Sequence, residues 1–246
     1  MSKIVVGYIL LLIPAAISWR ENLKVEIELS VAGLRSLLQL LLMSSILLYV
    51  FSLPNWANVI LVLVMLVLGA VIAFERGRRV PFGLPIAIIS IGIGYLIAST
   101  ALFASGVIKF VPNIFVPLSG MLIGNATKAV SLSFAQSRKL IFENSDVIEA
   151  AFLDGADYIE ASRFLIRDVL KVILIPQIDG LKLLGLVHIP GTMSGLLIAG
   201  MPPLEAAAYQ LSVAYAISSV AAFAAFSATY LSFFVILKQR YERLFR

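Results

Sequence analysis

The sequence contains no cysteine, a single histidine, and charged side chains at only 13% of its 246 positions. Without cysteine there are no disulfides, no thiolate nucleophile and no cysteine-ligated zinc or iron–sulfur centre. With one histidine, metal sites built from several imidazoles are excluded. The shortage of charge says more. A soluble domain covers its surface with polar groups and is about a quarter charged, whereas 61% of this chain is apolar and its mean hydropathy is +1.01. That composition excludes a water-soluble fold and places the chain in a bilayer. The net charge of +5 would suggest nucleic acid for a soluble protein. In a membrane protein the position of the cations matters more than their sum, and no nucleic-acid partner is expected.

Chemistry is missing as well. No G-x-x-x-x-G-K-[ST] occurs, and Gly124-Asn125-Ala126-Thr127-Lys128 lacks the second glycine and the hydroxyl that would cradle phosphates. Every carboxylate lies in a loop or at the edge of an apolar run, and His188 has no evident catalytic partner. The chain therefore reads as a non-enzyme that carries no cofactor, and any ATP hydrolysis must come from another polypeptide.

What is present is long apolar runs. A helical span needs about 20 mainly apolar residues to cross about 30 Å of hydrocarbon, and six runs qualify: 30–53, 56–74, 83–105, 111–135, 178–201 and 207–237. They are continuously apolar, unlike the alternating strands of a barrel. A seventh stretch, 4–19, is short and contains Pro14. With seven spans and the amino terminus outside, 14 of the 19 Lys and Arg residues fall on the cytoplasmic side, as the positive-inside rule requires. A first helix lying in the interface fits the charges equally well, but a cleaved signal peptide would invert the pattern and is rejected. The expected fold is an all-α integral membrane protein. It is a single transmembrane domain over 1–246, a bundle of about seven transmembrane helices in the plasma membrane, with a cytoplasmic insert at 136–177 and a cytoplasmic C-terminus.

The insert is too polar to cross the membrane and too long for a plain turn. Ser145 and Asp146 are placed to cap a helix that carries Glu149, and Gly155 to end it in the left-handed conformation. Asp157 with Glu160 forms a capping box for a second helix, whose apolar stripe is Tyr158, Ile159, Phe164, Leu165, Val169 and Leu170. The small Ala150 and Ala151 permit close approach while Glu149 offers charge to a partner's groove. The alternative is an amphipathic helix resting on lipid headgroups.

Glu149-Ala150-Ala151, then Gly155, with Ile173-Leu174-Ile175-Pro176 downstream, resembles the EAA loop of ABC-transporter permeases. Adding Gly120-Met121-Leu122-Ile123-Gly124-Asn125, Ser131-Leu132-Ser133, the stretch from Gly185 to Gly195, Ala199-Gly200, and Arg35 with Gln39, the chain resembles the iron-export ABC permease family, FetB-like, whose plant relatives are linked to aluminium tolerance. The resemblance implies a membrane subunit, present as a homodimer, that pairs with a separate ATP-binding subunit and exports metal such as iron. It further implies that Ser145, Asp146, Glu149, Ala150, Ala151 and Gly155 couple the spans to that ATPase. His188 stands where the family commonly has a small hydroxyl residue, and Lys128 where it has a neutral one.

Within the spans, Arg35, Lys128 and Lys182 lie close enough to an end to snorkel. His188 falls about ten residues, roughly 15 Å, into its run, just before Pro190. It faces a pathway as a metal ligand or proton carrier, or it bonds a neighbouring helix. Gln39, Asn125 and Met193 are further pathway candidates. Gly191, Gly195 and Ala199 make a small-xxx-small ladder, and Ala221, Ala225 and Ala228 a second close-packing face. With no carboxylate at mid-depth, iron rests on the resemblance, and an anionic or conjugated cargo stays open. The alternative function is an ATPase-independent secondary transporter or channel.

Overall fold

The computed structural model describes residues 2–52, 54–107 and 110–244. Among them are nine helices and no β-strand: α1 (Ser2–Arg20), α2 (Glu26–Ser52), α3 (Asn55–Gly77), α4 (Gly83–Ala104), α5 (Pro112–Glu143), α6 (Ser145–Leu153), α7 (Arg163–Leu183), α8 (Gly191–Ile198) and α9 (Pro203–Leu244). Four of the described helices, α2, α3, α4 and α9, are long and apolar enough to cross a membrane. The expected run at 111–135 becomes part of a longer and more polar helix, the 32-residue α5. The run at 178–201 is a correction: α7 stops at Leu183, the chain turns through 184–190, and α8 is a separate helix of eight residues. Gly185 at φ +77° and Pro190 at φ −62° accommodate that break, which apolarity alone does not reveal.

The described chain divides into two compact units, 1–58 and 59–246. In the first, α1 and α2 run antiparallel, joined by a turn in which Asn22 and Lys24 adopt positive φ. Ser18 fastens that turn: its Oγ donates to Glu26 Oε2 at 2.9 Å and accepts the Val25 N–H at 3.3 Å. Gly33 lets α2 close onto Tyr8 and Leu11 of α1.

The second unit is organised around α9, a 42-residue helix flanked by α4, α5 and α7. Small side chains set the separations. A Cβ at Gly94 of α4 would stand 2.7 Å from the Val220 carbonyl of α9, and Ala221, Ala224, Ala225 and Ala228 are fully buried. The expected alanine face of the last helix is thus a packing face. Gly69 and Gly77 likewise bring α3 against Thr127 and Phe134 of α5. Tyr95 and Ser119 share a buried 2.8 Å hydrogen bond between α4 and α5.

Past Pro203 at its first position, α9 contains neither proline nor glycine, the usual causes of a kink. The unit has one strongly basic end, where α3, α5 and α9 finish and α6 and α7 begin. The break between α7 and α8 lies toward the other end.

Candidate functional site

The structure gives two places where residues of interest converge, one at the basic end and one at the α7–α8 break. At the basic end, α6 is the expected short helix, with one correction: Ser145 is its first residue and not its cap. Asn144 holds the cap position without a side-chain cap bond, because α5 runs on to Glu143 and leaves one residue between the helices. Asp146 sits in the first turn of α6, where a carboxylate favours the helix dipole. Gly155 ends the element at φ +89°, with its own N–H donating to the Phe152 carbonyl and that of Ala156 to the Ala151 carbonyl.

The capping box is present: Asp157 Oδ1 accepts the Glu160 N–H at 2.7 Å and Glu160 Oε2 accepts the Asp157 N–H at 3.3 Å. The regular helix nevertheless starts only at Arg163, after a run of turns. Of the expected stripe, Leu165, Val169 and Leu170 are buried and Tyr158 and Ile159 partly so. Phe164 is exposed, and Ile166 and Ile173 take the inward positions.

This element is docked, not loose. Ile148 and Phe152 are buried in a cluster with Ile141, Leu165, Ile166, Val169, Phe233 and Leu237. Each such side chain contributes about 1.5–3 kcal/mol relative to exposure. Tyr158 stands edge-on to both Phe152 and Phe234, at 5.9 and 5.8 Å. Glu149 Oε1 accepts a 2.6 Å hydrogen bond from Arg240 Nη2, an ion pair across 91 residues of sequence. Ala150 and Ala151 follow on the same helix, Ala151 packing against the cluster. Arg240 was not among the expected coupling residues. A lone cation in a basic tail gives no sign of its partner.

At the break, a cavity of about 450 Å³ is lined by both new helix ends, Leu181 and Leu184 on one side and Pro190 to Thr192 on the other. Met121, Gln177, His188, Gln210 and Ser218 complete its polar and soft lining. The two ends oppose carbonyl-rich and N–H-rich termini across one space, as discontinuous helices do in transporters. His188 is exposed on the turn, whose backbone closes through Gly185 N–H donating to the His188 carbonyl at 3.1 Å. It is therefore not a mid-helix residue. Because α7 begins at Arg163, its depth counted from a span starting at 178 does not hold. His188 stands at the level of Met121, about 33 Å of helix from Glu143.

Gln210, unmarked in the sequence reading, is 7% exposed, and its Oε1 has no hydrogen-bond partner. Thr192 lines the cavity and its neighbour Met193 does not. Asn125 lies one turn from Met121 and donates to the Met121 carbonyl at 2.8 Å. Gln39 is exposed on α2 in the other unit. No group of three or more His, Cys, Asp or Glu residues able to hold a metal occurs among the described residues.

The ladder faces outward. A Cβ at Gly191 or Gly195 would meet nothing within 4 Å, and Ala199 is exposed, so the ladder face is open among the described residues. They lie on a short helix that fails to continue the span in which the ladder was expected to sit.

Apolar helices, a broken element bordering a cavity, and a docked helix at the basic end together define a helical membrane protein. The chain belongs to the family described as Uncharacterised protein family (UPF0014), whose model matches residues 1–236. It is 30% identical over 241 residues to "Probable iron export permease protein FetB" of Escherichia coli K12, covering 98% of this chain and 93% of that protein. It is 31% identical over 249 residues to "Protein ALUMINUM SENSITIVE 3" of Arabidopsis thaliana, with 100% and 91% covered. To "UPF0014 membrane protein STAR2" of rice it is 31% identical over 232 residues, with 94% and 81% covered. No solved structure matches.

Proposed function

We propose that this chain is the membrane-spanning subunit of an ABC-type exporter, driven by a separate ATPase subunit, with metal ions such as iron as cargo. The single observation that carries the reading is the continuity of α9. One unbroken helix holds Arg240, bonded to Glu149 of the coupling element, and Gln210, in the cavity wall, about 45 Å apart along its axis. A push on α6 is delivered through the ion pair and the Phe152–Tyr158–Phe234 contacts to a rod whose other end borders the cavity. Packed interiors deform little, so a rod of this kind moves as a body.

In this reading Glu149, Ala150 and Ala151 meet the ATPase, Gly155 fixes the angle of the element, and His188, Gln210, Gln177 and Thr192 line the cargo path. The name of the bacterial relative supports metal export. The cavity's neutral nitrogen, oxygen and sulfur donors suit a cation that keeps part of its hydration or its carrier ligand, since no carboxylate lines it to offset the charge. Two copies of the chain would join two ATPase subunits, and the open face of Gly191 and Gly195 is available to the second copy. The basic end faces the cytoplasm by the positive-inside rule, and the antiparallel α1–α2 pair supports a first helix that crosses the membrane.

The test is co-purification. The chain with an affinity tag should retain a P-loop ATPase of the same cell and stimulate its hydrolysis, and Glu149→Lys should lose both while still inserting into the membrane. Transport by the purified chain alone, with no ATPase bound, would instead establish a secondary transporter.

A further inference from the structure

The basic end holds a second feature beside the coupling pair. A cleft of about 380 Å³ is lined by Arg79 after α3, Arg138 on α5, and Gln239 and Arg240 on α9, over apolar walls that include Ile141, Phe142 and Ile236. No carboxylate lines it. Arg138 is half-buried and lies over the Phe142 ring at 5.7 Å. Among the described residues neither Arg79 nor Arg138 has a carboxylate partner, and Arg240 reaches Glu149 from the cleft's edge. A wider neighbouring cleft shares Arg79, Arg138 and Phe142 and adds three further cations against two carboxylates.

The Arg79 and Arg138 guanidinium groups come from separate elements and converge beside Arg240 without a counter-ion of their own, which leaves room for an anion. Their planar forks match the oxygens of a phosphate two at a time. The apolar walls narrow the choice. A free phosphate or an acidic peptide needs no greasy floor, whereas a phospholipid carries glycerol and acyl carbons directly beneath its phosphate. The cleft also sits where α3 and α5 finish, at the level where a headgroup meets the ends of spanning helices, and basic pockets between such ends take anionic lipids.

We infer that the Arg79–Arg138–Arg240 cleft binds the phosphate of an anionic phospholipid in the leaflet at the basic end, with Gln239 as a further donor and the first acyl carbons against Ile141, Phe142 and Ile236. The lipid then stands next to the Glu149–Arg240 pair, sharing Arg240 with it. This inference does not depend on the transported cargo or on an ATPase.

The experiment uses the full chain in nanodiscs of phosphatidylcholine with or without phosphatidylglycerol, reading retained lipid by native mass spectrometry and unfolding by thermal melt. The wild-type chain should retain phosphatidylglycerol in preference to phosphatidylcholine and melt higher in its presence. The double variant R79Q/R138Q should lose that preference at least ten-fold and melt alike in both discs. The control R163Q/R167Q, which removes two exposed cations from α7 outside the cleft, should behave as wild type. Equal losses in both double variants would reduce the effect to diffuse charge and overturn the site. Displacement of the lipid by millimolar glycerol 3-phosphate would overturn the lipid assignment in favour of a soluble phosphate ester. Unchanged lipid retention in R79Q/R138Q, with loss of ATPase binding, would assign the cleft to a protein partner. Should R79Q/R138Q fail to fold, R79K/R138K keeps the charge and removes only the forks; wild-type lipid preference in that variant would contradict recognition by the guanidinium pair.

Discussion

Reversing one charge of the Glu149–Arg240 pair separates a lever from a helix that merely rests on the surface. The pair is short, at 2.6 Å, but its side chains are 36% and 31% exposed. Water therefore screens it, and its net contribution is nearer the ~1 kcal/mol of a well-aligned surface pair than the several kcal/mol lost when a buried pair is broken. About 1 kcal/mol is a roughly five-fold shift in the docking equilibrium of α6. Glu149→Lys adds repulsion of similar size, yet buried Ile148 and Phe152 each hold the helix with about 1.5–3 kcal/mol. The helix should loosen without unfolding the bundle. The assay is stimulation of the partner ATPase by E149K, R240E and the double charge swap, with thermal melts run alongside. Each single variant should lower stimulation at least five-fold with little change in melting, and the swap should restore most of it. A swap no better than its parents would refute transmission through this pair, leaving Glu149 as a direct contact to the partner. Three unaffected variants would make α6 a passive surface helix.

Other positions give independent checks. Gly94→Leu forces side-chain atoms into the Val220 backbone and should destabilise the bundle by about 1–3 kcal/mol or more, read as a lower melting temperature in detergent. Gly155→Val places a branched side chain at φ +89°, a strain of about 1–3 kcal/mol localised to the insert, so ATPase stimulation should fall further than the melting temperature does. Gln210→Leu should leave ATPase binding intact while lowering flux or changing the metal preferred, as measured in vesicles loaded with different metals. Wild-type flux for every metal would remove Gln210 from the path. His188→Ala should behave similarly. Because His188 is exposed on the turn and Gln210 is buried, its effect should be the smaller of the two.

The fold class was legible because composition and run length state it almost directly, and the charge pattern added an expected orientation. The bend at Gly155 and the Asp157–Glu160 box were also legible. Both are local devices set by a few neighbouring residues: Gly155 adopts the expected positive φ, and the hydrogen bonds of the box form as expected. What escaped the sequence depends on distant contacts or on a break in periodicity. Residues 178–201 are as apolar as a continuous span, and only the positive φ of Gly185 and the turn after Leu183 show that the helix stops. Gly191 and Gly195 read as a packing ladder on that continuous helix, whereas they lie on a separate short helix with their face open. Gln210 is one amide in a long apolar helix, and its importance comes from facing a cavity whose other walls come from α5, α7 and the turn into α8, distant in sequence. Arg240 is one of several cations in a basic tail until Glu149 is found against it.

The most direct test of the central claim is metal flux into inverted vesicles containing the chain alone, the chain with its ATPase and ATP, and the same pair with a non-hydrolysable nucleotide. Uptake that needs both the ATPase and hydrolysis, and that falls with E149K, is the result expected from a lever coupled through α9 to the cavity. Uptake of equal rate in vesicles that hold the chain alone would contradict it.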